Sequence, residues 1–193
     1  RVLVFISQQD LVAATKDHPF IASKSVYLPP PPYRADIAER QMNLIHYSGT
    51  GDWWPKRRSK TSAVEIKKAI QRGYKLADFG NPISPAFGFI EERFSVGFKL
   101  KLMQMVYSQD VIASVVDLSS EIEAFSPGYP FFRVVGSFAE ALDYFDSIRG
   151  LMSAKSLERA FSKVVARDAL PKWSCAAAQV LKLLEYPKAA ACE

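Results

Sequence analysis

The sequence predicts a mainly α-helical protein: antiparallel helix pairs in a short helical-repeat (solenoid-like) or bundle body, behind an extended, proline-rich N-terminal arm. Three stretches carry that expectation. Gly136 to Ile148 is the clearest helix, because Phe138, Ala141, Leu142, Phe145, Ile148 and Met152 recur at the spacing that gathers apolar groups on one helical face. Pro29 to Pro32 fix φ and lack an N–H, so Leu28 to Tyr33 is extended. From Thr61 onward apolar residues recur mainly at helical spacing, punctuated by Gly80-Asn81-Pro82, Pro127-Gly128, Pro171 and Pro187. The expected division is a docking arm over residues 1–60 and a helical body over residues 61–193.

In the arm, Arg1 to Ile6 is a short strand or the lead-in to a helix capped by Ser7, with Asp10 in its first turn and Pro19 at its end. Arg34 to His46 reads as a helix with Ile37, Ala38, Gln41, Leu44 and Ile45 along one side, broken by Ser48-Gly49-Thr50-Gly51-Asp52. Paired indoles follow, Trp53 and Trp54, and then the cations Lys56, Arg57, Arg58 and Lys60. Adjacent residues cannot both point into a small core, so the indoles are candidates for pockets on a partner and the cations for an acidic or phosphate rim. Tyr27 and Tyr33 flank the prolines. The expected partner-binding residues are Tyr27, Tyr33, Trp53, Trp54, Lys56, Arg57 and Arg58, the competing account being that the arm folds back over its own helices.

In the body, Ser62 and Glu65 form a capping box for a helix from Ala63 to Tyr74, with Val64, Ile66, Ala69, Ile70 and Leu76 on its apolar side. Phe87 to Leu118 is ambiguous. Phe94, Val96, Phe98, Leu100 and Leu102 alternate as in a strand, whereas Ile90, Phe94, Phe98, Leu102 and Met105 repeat as in a helix. The absence of a turn signal between Phe98 and Ser108, and a run of Lys, Leu, Met and Gln, favour helix. Val111 to Leu118, with Ile112, Val115 and Val116, is open to a strand reading instead, which leaves α/β as the minority alternative fold. Ser126 to Pro130 is a turn, Phe131 to Val135 a short element, and Ser137 with Glu140 a capping box for the helix that Gly150 closes. Ser156 to Arg167 and Trp173 to Tyr186 complete the set.

Two of the three intervals between Ala77, Ala113, Ala141 and Ala177 lie near the period of about 34 residues expected for helix pairs, and the third is short by about two turns. Gly136-Ser137-Phe138-Ala139-Glu140-Ala141-Leu142-Asp143-Tyr144-Phe145-Asp146-Ser147-Ile148 resembles the second helix of a pentatricopeptide repeat, with its acid-Ala-Leu step, its aromatic and its closing Ile; tetratricopeptide repeats share the feature. Arg72 to Phe79 echoes it. The resemblance implies stacked helix pairs and, as one outcome, single-stranded RNA as a partner.

Composition bounds the function. A chain of 193 residues with 49% apolar side chains can build one core, and 25 Lys and Arg against 20 Asp and Glu leave +5, which permits an RNA, acidic-protein or anionic-lipid partner without requiring one. Mildly basic chains of this kind are common in the mitochondrial matrix, so a matrix-side or other organellar location is expected, with the cytoplasm as alternative. Cys175 and Cys192 suggest no disulfide or zinc framework. Leu102 to Gln109 falls well short of the roughly 20 apolar residues of a spanning helix, so no transmembrane segment is expected and any membrane association is peripheral, through a complex. The chain begins at Arg1, compatible with a removed targeting segment. His18 and His46 lack metal-ligand spacing and read as surface or capping residues; Asp143 with Asp146, and Glu121 with Glu123, read as solvated helix faces; Ser48 to Asp52 lacks the Lys-Ser or Lys-Thr of a phosphate loop. No catalytic, cofactor or metal residue is expected. The function expected is a non-catalytic accessory subunit of a large organellar assembly, such as a mitochondrial ATP synthase, a respiratory complex or a mitoribosome, acting by protein–protein docking. An RNA-binding helical-repeat protein and an enzyme with an unrecognised site are the alternatives.

Overall fold

The computed structural model describes residues 2–28, 31–48, 63–77, 79–80, 82–91, 100–164 and 167–185. In chain order they form β1 (Leu3–Phe5), α1 (Gln8–Asp17), a 3-10 segment (Pro19–Lys24), β2 (Ser25–Tyr27), β3 (Leu44–Ser48), α2 (Ala63–Gln71), β4 (Lys75–Ala77), β5 (Phe87–Ile90), α3 (Leu100–Ser108), β6 (Val111–Ser114), α4 (Ser119–Phe125), β7 (Phe132–Val134), α5 (Phe138–Leu151), α6 (Ala154–Ser162), a 3-10 turn (Arg167–Ala169) and α7 (Trp173–Glu185). The strands make a parallel pair, β1–β2, and a five-stranded parallel sheet in the order β4-β3-β5-β6-β7. The mainly helical repeat or bundle is thereby overturned. The chain is α/β.

The reason lies in burial. Every residue of β5 and β6 is buried, and strands of a parallel sheet covered on both faces are continuous apolar runs without alternation. Such a run has the same pattern as a segment of buried helix. The stretch Phe87 to Leu118, read as helix, divides into β5, α3 and β6, and its strand-like alternative holds for Val111–Ser114; Phe94, Val96 and Phe98 lie outside the described residues. Arg34 to His46 is likewise no helix. Leu44 begins β3, and Ile45 pairs with Leu76 on one side and Phe87 on the other. Tyr74 and Leu76 lie beyond α2, Gly150 lies inside α5 rather than at its end, and α6 begins at Ala154, capped by Ser153, whose hydroxyl accepts from Ser156 N at 3.2 Å. Ala77 sits in β4 and Ala113 in β6, so the four alanines do not mark equivalent helices.

The helix foremost in the sequence packs as its apolar face requires. Phe138, Ala141, Leu142 and Phe145 of α5 are buried. The Phe145 ring lies 4.8 Å from that of Phe87, and Phe138 lies 4.8 Å from Phe89 and 5.8 Å from Tyr47, which ties α5 to β5 and β3. Each such ring contributes about 1.5–3 kcal/mol of burial. Ser137 Oγ accepts from Glu140 N at 3.2 Å, while the Glu140 carboxylate accepts from Gly136 N at 2.9 Å. Beyond the end of α2, Arg72 Nη1 meets Asp143 at 2.6 Å and Asp146 at 3.0 Å, and Tyr74 donates to Asp146 at 2.9 Å. Gly88 of β5 leaves its side open to Met105 of α3: a Cβ there would fall 2.7 Å from Met105 Sδ.

The first strands form a β1–α1–β2 unit with Leu3, Val4 and Phe5 opposite Ser25, Val26 and Tyr27. Glu121 of α4 holds it in place. Ser7 Oγ donates to Glu121 Oε1 at 2.5 Å, and Gln8 N, in the first turn of α1, donates to Oε2 at 3.0 Å. A carboxylate at a helix N-terminus satisfies donors that the helix itself leaves open. Glu121 is therefore a buried tie between elements and not part of a solvated face.

Candidate functional site

Of the residues that the sequence nominates for partner binding, Tyr27 and Tyr33 fall within the described residues. Tyr27 ends β2, part-buried, its phenol held above its usual range by burial and then by the Glu121 carboxylate. Tyr33 is 60% exposed. Its backbone, however, is fixed: the Gln104 side chain of α3 accepts from Tyr33 N and donates to Tyr33 O, both at 2.9 Å, as a neighbouring strand would. Pro31 and Pro32 are buried. Ala35 O accepts from Tyr107 at 3.1 Å, Ala38 N donates to Ile83 O and Gln41 N to Pro85 O, each at 2.8 Å. The described part of the proline-rich stretch thus lies along its own chain. Trp53, Trp54, Lys56, Arg57 and Arg58 lie outside the described residues.

Apolar groups are open to solvent elsewhere. On α7, Trp173 is 59% exposed, Val180 41% and Leu181 55%. Positions i, i+4, i+7 and i+8 of a helix share one side, so Trp173, Ala177, Val180 and Leu181 make a stripe along a helix of 13 residues. A single exposed leucine is ordinary, but a helix that presents Trp together with two branched aliphatics on one side has the composition of an interface core. Cys175 is exposed on the same helix.

A second region is set by topology. The strand order reverses between β3 and β5, and the crevice beyond the carboxyl ends of strands at such a point is where open α/β sheets hold ligands. Tyr47 there donates to the Glu91 carboxylate, and Lys101 Nζ lies 3.5 Å from Tyr47 O. Both Tyr47 and Glu91 are buried.

Behind it, His46 reaches across Gly88 to Asp110. Nδ1 donates to Asp110 Oδ2 at 2.6 Å, Asp110 Oδ1 accepts from Ala86 N at 2.9 Å, and the imidazole lies 4.2 Å from the Phe79 ring. His46 is 1% exposed, so the surface reading of this residue is overturned; its place inside the apolar run Leu44 to Tyr47 was the available signal. His18, by contrast, does cap α1. Asp110 and Arg40, buried as well, carry no sequence signal that separates them from the surface charges around them.

No protein-family model matches the chain, and no curated protein matches it.

Proposed function

We propose that this chain is a non-catalytic subunit that works by docking onto other protein chains. The observation that carries the proposal is α7, whose Trp173, Val180 and Leu181 are left in water by the fold. Burying such a stripe against a partner removes apolar area from water, and Trp is the residue type most enriched among those that dominate binding. The exposed Leu3 and Val4 of β1 add apolar surface. The net charge of +5 suits an organellar assembly, with the mitochondrial matrix as the setting we favour.

Purification of the full-length chain from its native source tests this. The expected result is a nuclease-resistant, stoichiometric protein complex, weakened about 30-fold or more when Trp173→Ser and Leu181→Ser are combined, the scale of a hot-spot loss near 2 kcal/mol. A chain that purifies alone, or a complex indifferent to the double substitution, overturns the reading. The strand reversal beside Tyr47 and Glu91 favours a second reading, a small-molecule site at the carboxyl edge of the sheet.

A further inference from the structure

At the opposite, amino edge of the sheet, a cleft of about 540 Å³ is lined by Ile37, Ala38, Pro85, Glu158, Ser162 and Arg167 among others. That volume falls in the range of about 300–1,000 Å³ typical of small-molecule sites. One wall is apolar, formed by Ile37, Ala38 and Pro85. The other is charged.

Arg167 is held rigidly at that wall. Its Nε donates to Tyr107 O at 2.9 Å and its Nη2 to Gln109 Oε1 at 2.7 Å. Among the described residues Nη1 has no acceptor, so it is the edge of the guanidinium turned to a ligand. Gln109 has a φ of 64°, the left-handed region that favours glycine. It occupies the residue just past the end of α3, where Gln109 N donates to Val106 O and Asp110 N to Met105 O, the double bond pattern in which glycine is usual. A glutamine in that conformation is strained, and its side chain supplies, beside Tyr107 O, the second acceptor that orients Arg167. Strain retained for the sake of positioning one side chain is a mark of a working site.

The charge balance selects the ligand. Beneath the cleft, Arg40 is 6% exposed, donates to Gln109 O at 2.7 Å and lies 4.9 Å from the Phe161 ring; Arg34 donates to Leu170 O at 2.9 Å. Against Arg34, Arg40 and Arg167 stand Asp110, Glu158 and Asp168, and the Glu158 charge acts on both Arg40 and Arg167. A dianion would meet Glu158 and Asp168, and a plain cation would meet Arg167. A ligand carrying one charge of each sign meets neither objection. Ser162 donates to Arg159 O at 3.1 Å, which leaves its oxygen lone pairs to accept from an ammonium.

We propose that this cleft binds a zwitterionic, amino-acid-type ligand with a large apolar side chain: its carboxylate on Arg167, its ammonium toward Glu158 and Ser162, its side chain against Ile37, Ala38 and Pro85. The site is independent of the docking surface on α7. The test uses the full chain and three probes in calorimetric titration and thermal shift: L-phenylalanine, 3-phenylpropanoate, which lacks the ammonium, and 2-phenylethylamine, which lacks the carboxylate. L-phenylalanine is expected to bind one to one and raise the melting temperature, each truncated probe to bind about 10-fold or more weakly, and Arg167→Met and Glu158→Gln each to cost about 10-fold, the worth of one charge-assisted contact. Ala38→Leu, which narrows the cleft from the apolar wall, is expected to abolish binding with an unchanged circular dichroism spectrum, and it stands in if Arg167→Met fails to fold. Absence of L-phenylalanine binding, equal binding of 3-phenylpropanoate, competition by inorganic phosphate alone, or full binding by Ala38→Leu each overturns the proposal.

Discussion

Gly88→Ala adds a single methyl group at the most confined point of the sheet. In register, Gly88 stands between His46 of β3 and Ile112 of β6. The new Cβ would meet Met105 Sδ at 2.7 Å, Met105 Cγ at 3.1 Å and Asp110 Cβ at 3.4 Å. Real Cβ atoms do not approach sulfur that closely, so Met105 must move, and Met105 is fully buried with no solvent side to move toward. Overpacking of this kind costs about 1–3 kcal/mol. Replacing glycine in a strand returns about 0.5–1 kcal/mol through the unfolded chain. The open path from His46 to Asp110 also narrows, at a contact whose full loss is worth about 1.5–3 kcal/mol. The net loss expected is about 1–2 kcal/mol, a melting point lower by roughly 2–8 °C in a domain of this size.

Urea titration monitored by circular dichroism measures it, with the midpoint lowered and the slope unchanged. Met105→Ala supplies the internal check. Alone it leaves a cavity and costs about 2–5 kcal/mol, but in the Gly88→Ala background it makes room for the methyl group, so the double variant should be more stable than the two single losses added together. Gly88→Ala as stable as the parent, or strict additivity in the cycle, would show that the contact with Met105 is not confining and that the reasoning is wrong.

Two further outcomes are expected. His46→Ala removes the donor from Asp110 Oδ2 inside the core and should cost roughly 3 kcal/mol in the same titration, since among the described residues the buried carboxylate is left with the Ala86 N–H; a loss below about 1 kcal/mol would mean that water replaces the imidazole. Burial holds the phenols of Tyr27, Tyr74, Tyr129 and Tyr144 above their ordinary 10.0, Tyr144 pushed up to about 12. Because the folded values lie above the unfolded one, the stability linked to these groups is complete below pH 10.0 and is lost as pH rises through the folded values. Tyrosinate absorbance and circular dichroism should therefore change together in an alkaline titration, and ionisation of all the phenols near their ordinary value without loss of structure would contradict the burial.

What the sequence made legible is local. Ser7 caps α1 through Asp10 N at 3.2 Å, Ser137 caps α5, and the turn Ser126 to Pro130 holds Gly128 at a φ of +71°. Each depends on residues a few positions apart, so each is written in the chain. The apolar face of α5 is legible for the same reason. The sheet is not, because what makes Phe87–Ile90 and Val111–Ser114 strands is the presence of neighbours on both sides, contributed by segments tens of residues away. His46 illustrates the limit. Between Ile45 and Tyr47 its burial could be suspected, but its partner Asp110 is identifiable only once Gly88 has been placed between them. Gln109 is more opaque still, since nothing in Ser108-Gln109-Asp110 marks the middle residue as left-handed.

The corner between α3 and β6 explains why these long-range facts belong together. Gln109 O accepts from Arg40 and Gln109 Oε1 from Arg167, Asp110 O accepts from Tyr129 at 2.6 Å, and the Asp110 carboxylate accepts from His46 and Ala86 N. One dipeptide therefore receives donors from the segments leading into β3, β5 and β7, from β3 itself and from the turn that precedes α7. Arg40 Nε is buried without a partner among the described residues, so the corner depends on the remaining donors and acceptors holding one another in place. The turn Arg167–Ala169 is fastened through Arg167 to Gln109 and through Arg34 to the Arg167 and Leu170 carbonyls, and Leu170 is itself buried. The root of α7 is thus as fixed as the core, while its apolar stripe further along stays in water. Beyond that root every described side chain of α7 is exposed or half-buried, so a partner that covers Trp173, Val180 and Leu181 must also order the helix, and that ordering entropy is part of what docking overcomes.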